Sequence, residues 1–66
     1  MKIKDEYIKL GQAMKLANLV SSGAEAKILI AGGMVLVNGE TEVRRGRKLY
    51  DTDVILFNGN EIRIEK

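Results

Sequence analysis

Residues 34–43, MVLVNGETEV, constrain the fold of this chain more tightly than any other stretch. Asn38-Gly39 stands between two runs of strand-forming residues. A two-residue hairpin loop of type I′ needs positive φ at both central positions, and Asn followed by Gly meets that need at low steric cost. The pair predicts an antiparallel hairpin, with a strand over Met34–Val37 and a short polar return over Glu40–Val43. Val54 and Leu56 continue the sheet. A second turn at Asn58-Gly59-Asn60 leads into Glu61–Glu65, where Ile62 and Ile64 alternate with polar residues.

Helical periodicity fills the first half. Leu10, Ala13, Met14 and Ala17 fall at i, i+3, i+4 and i+7, the apolar face of a helix over about residues 10–18. Its start is weakly marked, because Lys9 is no N-cap. Ile3 and Tyr7-Ile8 suit short extended pieces ahead of it. The second helix is marked clearly. Ser22-Gly23-Ala24-Glu25 fits a capping box, in which the Ser22 hydroxyl accepts from the Glu25 amide and the Glu25 carboxylate reaches back to the Ser22 amide. Ala26, Leu29 and Ile30 supply its buried face, and Gly32-Gly33 ends it in a left-handed turn. Ile28 lies off that face. The expected cover for it is the first helix; the alternative is an external partner. The fold class is α+β, two packed N-terminal helices followed by a small, mostly antiparallel β-sheet.

Sixty-six residues hold one core, so residues 1–66 are read as a single domain. A chain of this size buries only ~60% of its unfolded surface and has a thin margin of stability. It contains no Cys and no His. Disulfides, thiolate chemistry, the commonest general base and the commonest metal ligand are thereby absent, which argues against an enzyme and against a cofactor or metal. The start, MKIKDEYIK, has charges where a signal peptide needs an apolar run, and no window approaches 18 uninterrupted apolar residues. The expectation is a cytoplasmic protein without membrane contact.

The net charge of +2 is unevenly spread. Residues 1–43 carry five Lys and five acids, and residues 49–66 carry two bases and four acids. The whole excess sits in residues 44–48, RRGRK. Like charges this dense repel one another; the segment reads either as a solvated loop or as a site for a polyanion. Arg matches phosphate oxygens with a planar fork, Lys brings a mobile point charge, and Gly46 lets the backbone approach a ligand. Tyr50 adds a stacking surface beside the run, or a packing residue next to a strand. Other constellations are poorer. Asp51-x-Asp53 falls short of the six to eight oxygens calcium takes and reads as a polar turn. Ser21 and Ser22 lack a base, which leaves Ser22 a cap. Gly32-Gly33 follows a helix and lacks the rest of a phosphate loop. The ending Ile64-Glu65-Lys66 is not the Gly-Gly tail of a ubiquitin-like sulfur carrier.

The stretch from Leu10 to Ile55 resembles the S-four RNA-binding domain, or αL motif. The shared pattern is S-x-x-E-A-[KR]-x-L-I, then Gly, then V-x-V-N-G, then a basic stretch before a turn of the form G-D-x-[IV]. It stands here as Ser22, Glu25, Ala26, Lys27, Leu29, Ile30, Gly33, Val35, Val37, Asn38 and Gly39, with Asp53 and Ile55 later. LGQ-x-x-KLA at 10–17, VLVNGE at 35–40 and RRGRKLY at 44–50 are most similar to the small stand-alone YaaA-type proteins of this family.

The resemblance implies two helices packed on a short sheet, and structured RNA held against the second helix and the basic loop. Carried over by position, Lys27 matches a basic helix site, and Arg44, Arg45, Arg47 and Lys48 match the basic stretch; Lys15 is a further candidate on the first helix. Longer members place Arg where this chain has Gly23, Ile28 and Ala31, and Gly where it has Thr52. Residues 44–48 must then supply most of the attraction. The resulting expectation is a non-enzymatic RNA-binding module for structured RNA, ribosomal by family analogy, which reads shape and backbone more than bases. The alternative is a protein-interaction adaptor, in which the basic loop meets an acidic partner and Ile28 with Leu36 forms an apolar patch.

Overall fold

A computed structural model describes residues 1–66. In chain order the elements are β1 (Ile8–Lys9), α1 (Leu10–Leu16), α2 (Gly23–Ala31), β2 (Val35–Val37), β3 (Glu40–Thr41), β4 (Lys48–Leu49), β5 (Val54–Phe57) and β6 (Asn60–Arg63). The α+β expectation holds, with every strand pair of the two sheets antiparallel. The main sheet runs β3-β2-β5-β6, and β1 pairs separately with β4.

Two Asn-Gly turns set the register of the main sheet. Asn38 and Gly39 have φ of 52° and 83°, and Val37 pairs with Glu40 across them. Asn58 and Gly59 repeat this at 51° and 80°, with Phe57 paired to Asn60. Asn38 has a second role. Its side-chain amide donates to Asp53 Oδ1 at 2.9 Å, and its side-chain oxygen accepts from the Val54 amide at 2.9 Å. Asp53 Oδ2 in turn accepts from the Tyr50 amide at 2.8 Å. The hairpin and the 50–53 turn are thus one hydrogen-bonded unit, and Asp53 is a turn residue, as its sequence setting predicts.

Both helices end in Schellman turns. Asn18, at φ 59°, donates to the Lys15 carbonyl, and Leu19 donates to the Met14 carbonyl. This closes α1 at Leu16, two residues before the predicted residue 18. Gly33, at φ 78°, and Met34 repeat the pattern on Ile30 and Leu29. At the start of α2 the Ser22 hydroxyl accepts from the Glu25 amide at 3.1 Å. The Glu25 carboxylate reaches one residue further back than expected, to the amide of Ser21 at 2.7 Å and its hydroxyl at 3.1 Å.

The core joins Leu10, Ala13 and Met14 of α1, Ala26 and Ile30 of α2, Val35, Val37 and Ile55 of the main sheet, Ile8 and Leu49 of the small one, and Val20 and Ile64. Ile28 is not covered by α1: it is 72% exposed, so the expected packing is overturned. A nine-residue helix offers α1 a single stripe, and Ala26 and Ile30 occupy it. The return strand stops at Thr41 instead of Val43: the Glu42 amide still donates to the Val35 carbonyl at 3.0 Å, but the Val43 and Arg44 amides turn onto the carboxylate of Glu42, which is only 5% exposed. The basic stretch is also less loop-like than expected, since Lys48 belongs to β4. No helix is long and apolar enough to cross a membrane.

Candidate nucleic-acid interface

The segment 44–48 is anchored from both sides. The Leu10 amide donates to the Arg47 carbonyl at 2.8 Å and the Gly11 amide to the Arg45 carbonyl at 3.0 Å, so the first turn of α1 holds the basic backbone against the helix. A Cβ built on Gly11 would lie 2.6 Å from Arg45 Cγ. Glycine at this position lets the Arg45 stem lie directly over the helix.

Glu42 anchors the other side. Its Oε2 accepts from the amides of Val43 and Arg44 and from Arg44 Nε, each at 3.0 Å; Oε1 accepts from Arg44 Nη2 at 3.0 Å and Arg47 Nη1 at 3.1 Å. The Arg44 side-chain bonds hold the Glu42 carboxyl at a pKa of about 2, against a desolvation that would raise it; the Arg44 amide and the Arg47 guanidinium lower it further. The same pairing raises the pKa of Arg44. Arg44 and Arg47 therefore carry part of their charge into an internal bridge. Arg44 remains mostly in solvent, with 71% of its side chain exposed, and Arg47 is at 30%.

Arg45 and Lys48 make no ion pair. Arg45 joins Lys15 in a cleft also lined by Lys9, Gly11, Gln12, Gly23 and Gly46, with no acidic side chain in its wall. Arg44, Arg47 and Lys48 line an adjoining hollow, and Gly46 is common to both. Of the residues expected from sequence, then, Lys15 and Arg45 share one wall and Arg44, Arg47 and Lys48 the next. Lys27 lines neither; it lies one helical turn beyond Gly23 on the same face of α2.

Two polar residues of the cleft, Lys9 and Gln12, escaped the sequence reading. Their signal is the three-residue spacing of 9, 12 and 15 beside the apolar stripe of α1. Lys9 also stands opposite Lys48 across the β1–β4 pair. Like charges directly opposite on a two-stranded ribbon repel, and neither lysine has an acid to offset it. A patch organised in this way is complementary to a row of phosphates, which the arginine forks and lysine ammoniums would neutralise. No cluster of His, Cys, Asp and Glu with metal-holding geometry occurs.

Comparisons with known proteins bear on the family and the fold. The family model described as the S4 domain matches residues 1–65. The "Probable ribosome maturation protein RlbA" of Bacillus subtilis (strain 168) is 49% identical over 57 residues, 86% of this chain and 80% of the relative. The "Putative RNA-binding protein YbcJ" of Escherichia coli (strain K12) is 34% identical over 61 residues, 92% of this chain and 87% of the relative. The solution structure of YbcJ from E. coli, described as revealing an αL motif involved in RNA-binding, matches with a TM-score of 0.76 at 31% identity, over 100% of this chain and 85% of that one. The 30S ribosomal protein S4e from Thermoplasma acidophilum matches with a TM-score of 0.67 at 28% identity, over 91% of this chain but only 32% of that larger protein. With nearly the full length matched by the family model, and relatives of this identity aligned along most of their own chains, the protein belongs to the S4 domain family.

Proposed function

We propose that this protein is a non-enzymatic RNA-binding module that holds the phosphate backbone of structured RNA across the cleft between α1, the start of α2 and residues 44–48. The observation that carries the reading is the acid-free wall in which Lys9, Lys15 and Arg45 converge, continued by Lys48. Arg45 and Lys48 are the principal phosphate contacts. Arg44 and Arg47 contribute less, because the Glu42 carboxylate offsets part of their field, and shape the segment through Glu42; Lys27 extends the surface along α2. Backbone and shape dominate recognition, since the cleft offers Gln12 as its one side-chain amide. Two relatives, one named a probable ribosome maturation protein and one a putative RNA-binding protein, support this class; ribosomal RNA in the cytoplasm is the target this reading takes.

The test compares purified protein with an unfolded peptide of equal charge for binding to a structured RNA hairpin and to a single strand. The folded protein is expected to prefer the hairpin, and Arg45→Ala to weaken that binding. Equal binding by the peptide would overturn the reading. The adaptor alternative keeps one supporting observation, the exposed Ile28. It predicts no preference for structured RNA, and loss of a protein partner in pull-downs with Ile28→Ser.

A further inference from the structure

The β1–β4 ribbon buries Ile8 and Leu49 on one side. Strand alternation sends their neighbours to the other side. Tyr7 thus faces Tyr50 there, next to the facing pair Lys9 and Lys48. The two rings lie 5.9 Å apart between centroids, tilted by 49°. Lys48 Nζ sits 4.8 Å from the centroid of the Tyr7 ring. The chain has only two tyrosines, and both are on this face, 36% and 44% exposed. Tyr50 is held at its amide by Asp53. Two aromatic rings on one ribbon, beside the unpaired Lys9 and Lys48 and continuous with the basic hollow through Lys48, form a surface with both an apolar face and a charge for a nucleotide. Asp5 and Glu6 share a further hollow beside Tyr7, with Glu6 paired to Lys66.

We propose that Tyr50, backed by Tyr7, stacks on an unpaired base of the bound RNA while Lys48 and Lys9 take the flanking phosphates. This deepens the RNA-binding reading above and rests on it. Its selectivity is for RNA in which a bulged or looped nucleotide adjoins a helical stem. A helical stem alone presents no free base face, so the tyrosines would be idle on it. Sequence tolerance is expected, since every base has a π-face, with purines favoured for their larger overlap.

The test uses two RNA duplexes of the same stem sequence with identical paired ends and no loop. One carries a single bulged 2-aminopurine, and the other is fully paired throughout. Wild-type protein is expected to bind the bulged RNA more tightly and to quench its 2-aminopurine fluorescence. Tyr50→Leu keeps apolar bulk but loses the ring; it is expected to weaken binding of the bulged RNA roughly tenfold and to abolish the quench, with little change for the paired stem. Tyr50→Phe keeps the ring and should behave as wild type. Melting temperatures check that each variant is folded. If Tyr50→Leu does not fold, the wild-type quench and the wild-type preference between the two RNAs still decide the matter. Equal affinity of wild type for both RNAs with no quench overturns the stacking site and leaves the phosphate cleft standing. So does a Tyr50→Leu variant that loses nothing. A wild-type protein that binds neither RNA overturns the RNA-binding reading as well.

Discussion

Thr52 holds a backbone φ of 79°, in a region where a β-branched side chain crowds its own peptide units. The strain is kept because its amide donates to the Ile64 carbonyl at 2.8 Å, tying the 50–53 turn to the last core residue. Such a conformation costs about 1–3 kcal/mol for a non-glycine residue, while glycine adds up to ~1 kcal/mol of unfolded-state freedom. Thr52→Gly should therefore gain about 1 kcal/mol, a rise of roughly 4–8 °C in a domain this small. An unchanged or lower melting temperature would show that Thr52 stores no strain. Glu42 gives a second residue-scale prediction, with the sign set by its lowered pKa of about 2 against an ordinary 4.5. Between those values the unfolded chain binds a proton that the folded chain refuses, so stability falls as pH falls. The Glu42 contribution is complete above pH 4.5 and fades toward pH 2. Glu42→Gln should cost on the order of 2 kcal/mol at neutral pH, less than for a fully buried pair because Arg44 stays in water. Its acid unfolding curve should be flatter than that of wild type; parallel curves would remove Glu42 from the account. Nothing in the composition marks this glutamate. It is one of several acids near a basic run, and only the inward turn after Thr41 distinguishes it.

Two glycines serve two different elements for two different physical reasons. Gly39 turns the β2–β3 hairpin, and a Cβ there would meet nothing within 4 Å, so its requirement is the backbone φ of 83° alone. Gly39→Val should cost about 1–3 kcal/mol by that route, read as a lower melting temperature; no change would mean the turn can form another way. Gly11 is in the first turn of α1, where alanine would ordinarily gain up to about 1 kcal/mol in helix propensity. Here a Cβ meets Arg45 Cγ at 2.6 Å. Gly11→Ala should leave the melting temperature within a few degrees of wild type and displace the Arg45 stem. Its loss of RNA affinity should match that of Arg45→Ala, and the double variant should be no worse than either single one. Additive losses would show that Gly11 acts elsewhere. The α2 cap separates stability from binding. Ser22→Ala should lose ~1 kcal/mol with RNA affinity unchanged when measured well below the melting point.

Across the whole molecule, what was readable was local. The Asn-Gly turn at 38–39, the capping box at 22–25 and the apolar stripe of α1 are each written within a few residues, and each appears close to where the pattern puts it, with the Glu25 bond moved to Ser21 and α1 ended at Leu16. What was not readable joins distant segments. The two-residue strands β1 and β4 have no periodicity of their own, yet their pairing sets Lys9 against Lys48 and Tyr7 against Tyr50. The Arg45 cleft likewise needs α1 and residues 44–48 to meet before Lys9 and Gln12 become part of a site. This assembly determines how RNA binding should respond to salt. Lys9, Lys15, Arg45 and Lys48 make no internal ion pair, whereas Arg44 and Arg47 share Glu42 and Lys66 is bound to Glu6 at 2.7 Å. If the four unpaired cations each displace a counterion, log K should fall against log salt with a slope of roughly −3 to −4, at ~0.7–0.9 per contact. Arg45→Ala should make that slope shallower by about one unit, and Arg45→Lys should restore the slope but only part of the affinity, because the charge returns without its fork. Arg44→Ala should change the slope less than Arg45→Ala and lower the melting temperature more, since it strips Glu42 of its main donor. Lys66→Ala, away from the cleft, should leave the slope unchanged. Equal slope changes for Arg44→Ala and Arg45→Ala would show that the bridge to Glu42 does not withhold charge from RNA, and the division of labour within residues 44–48 would fall.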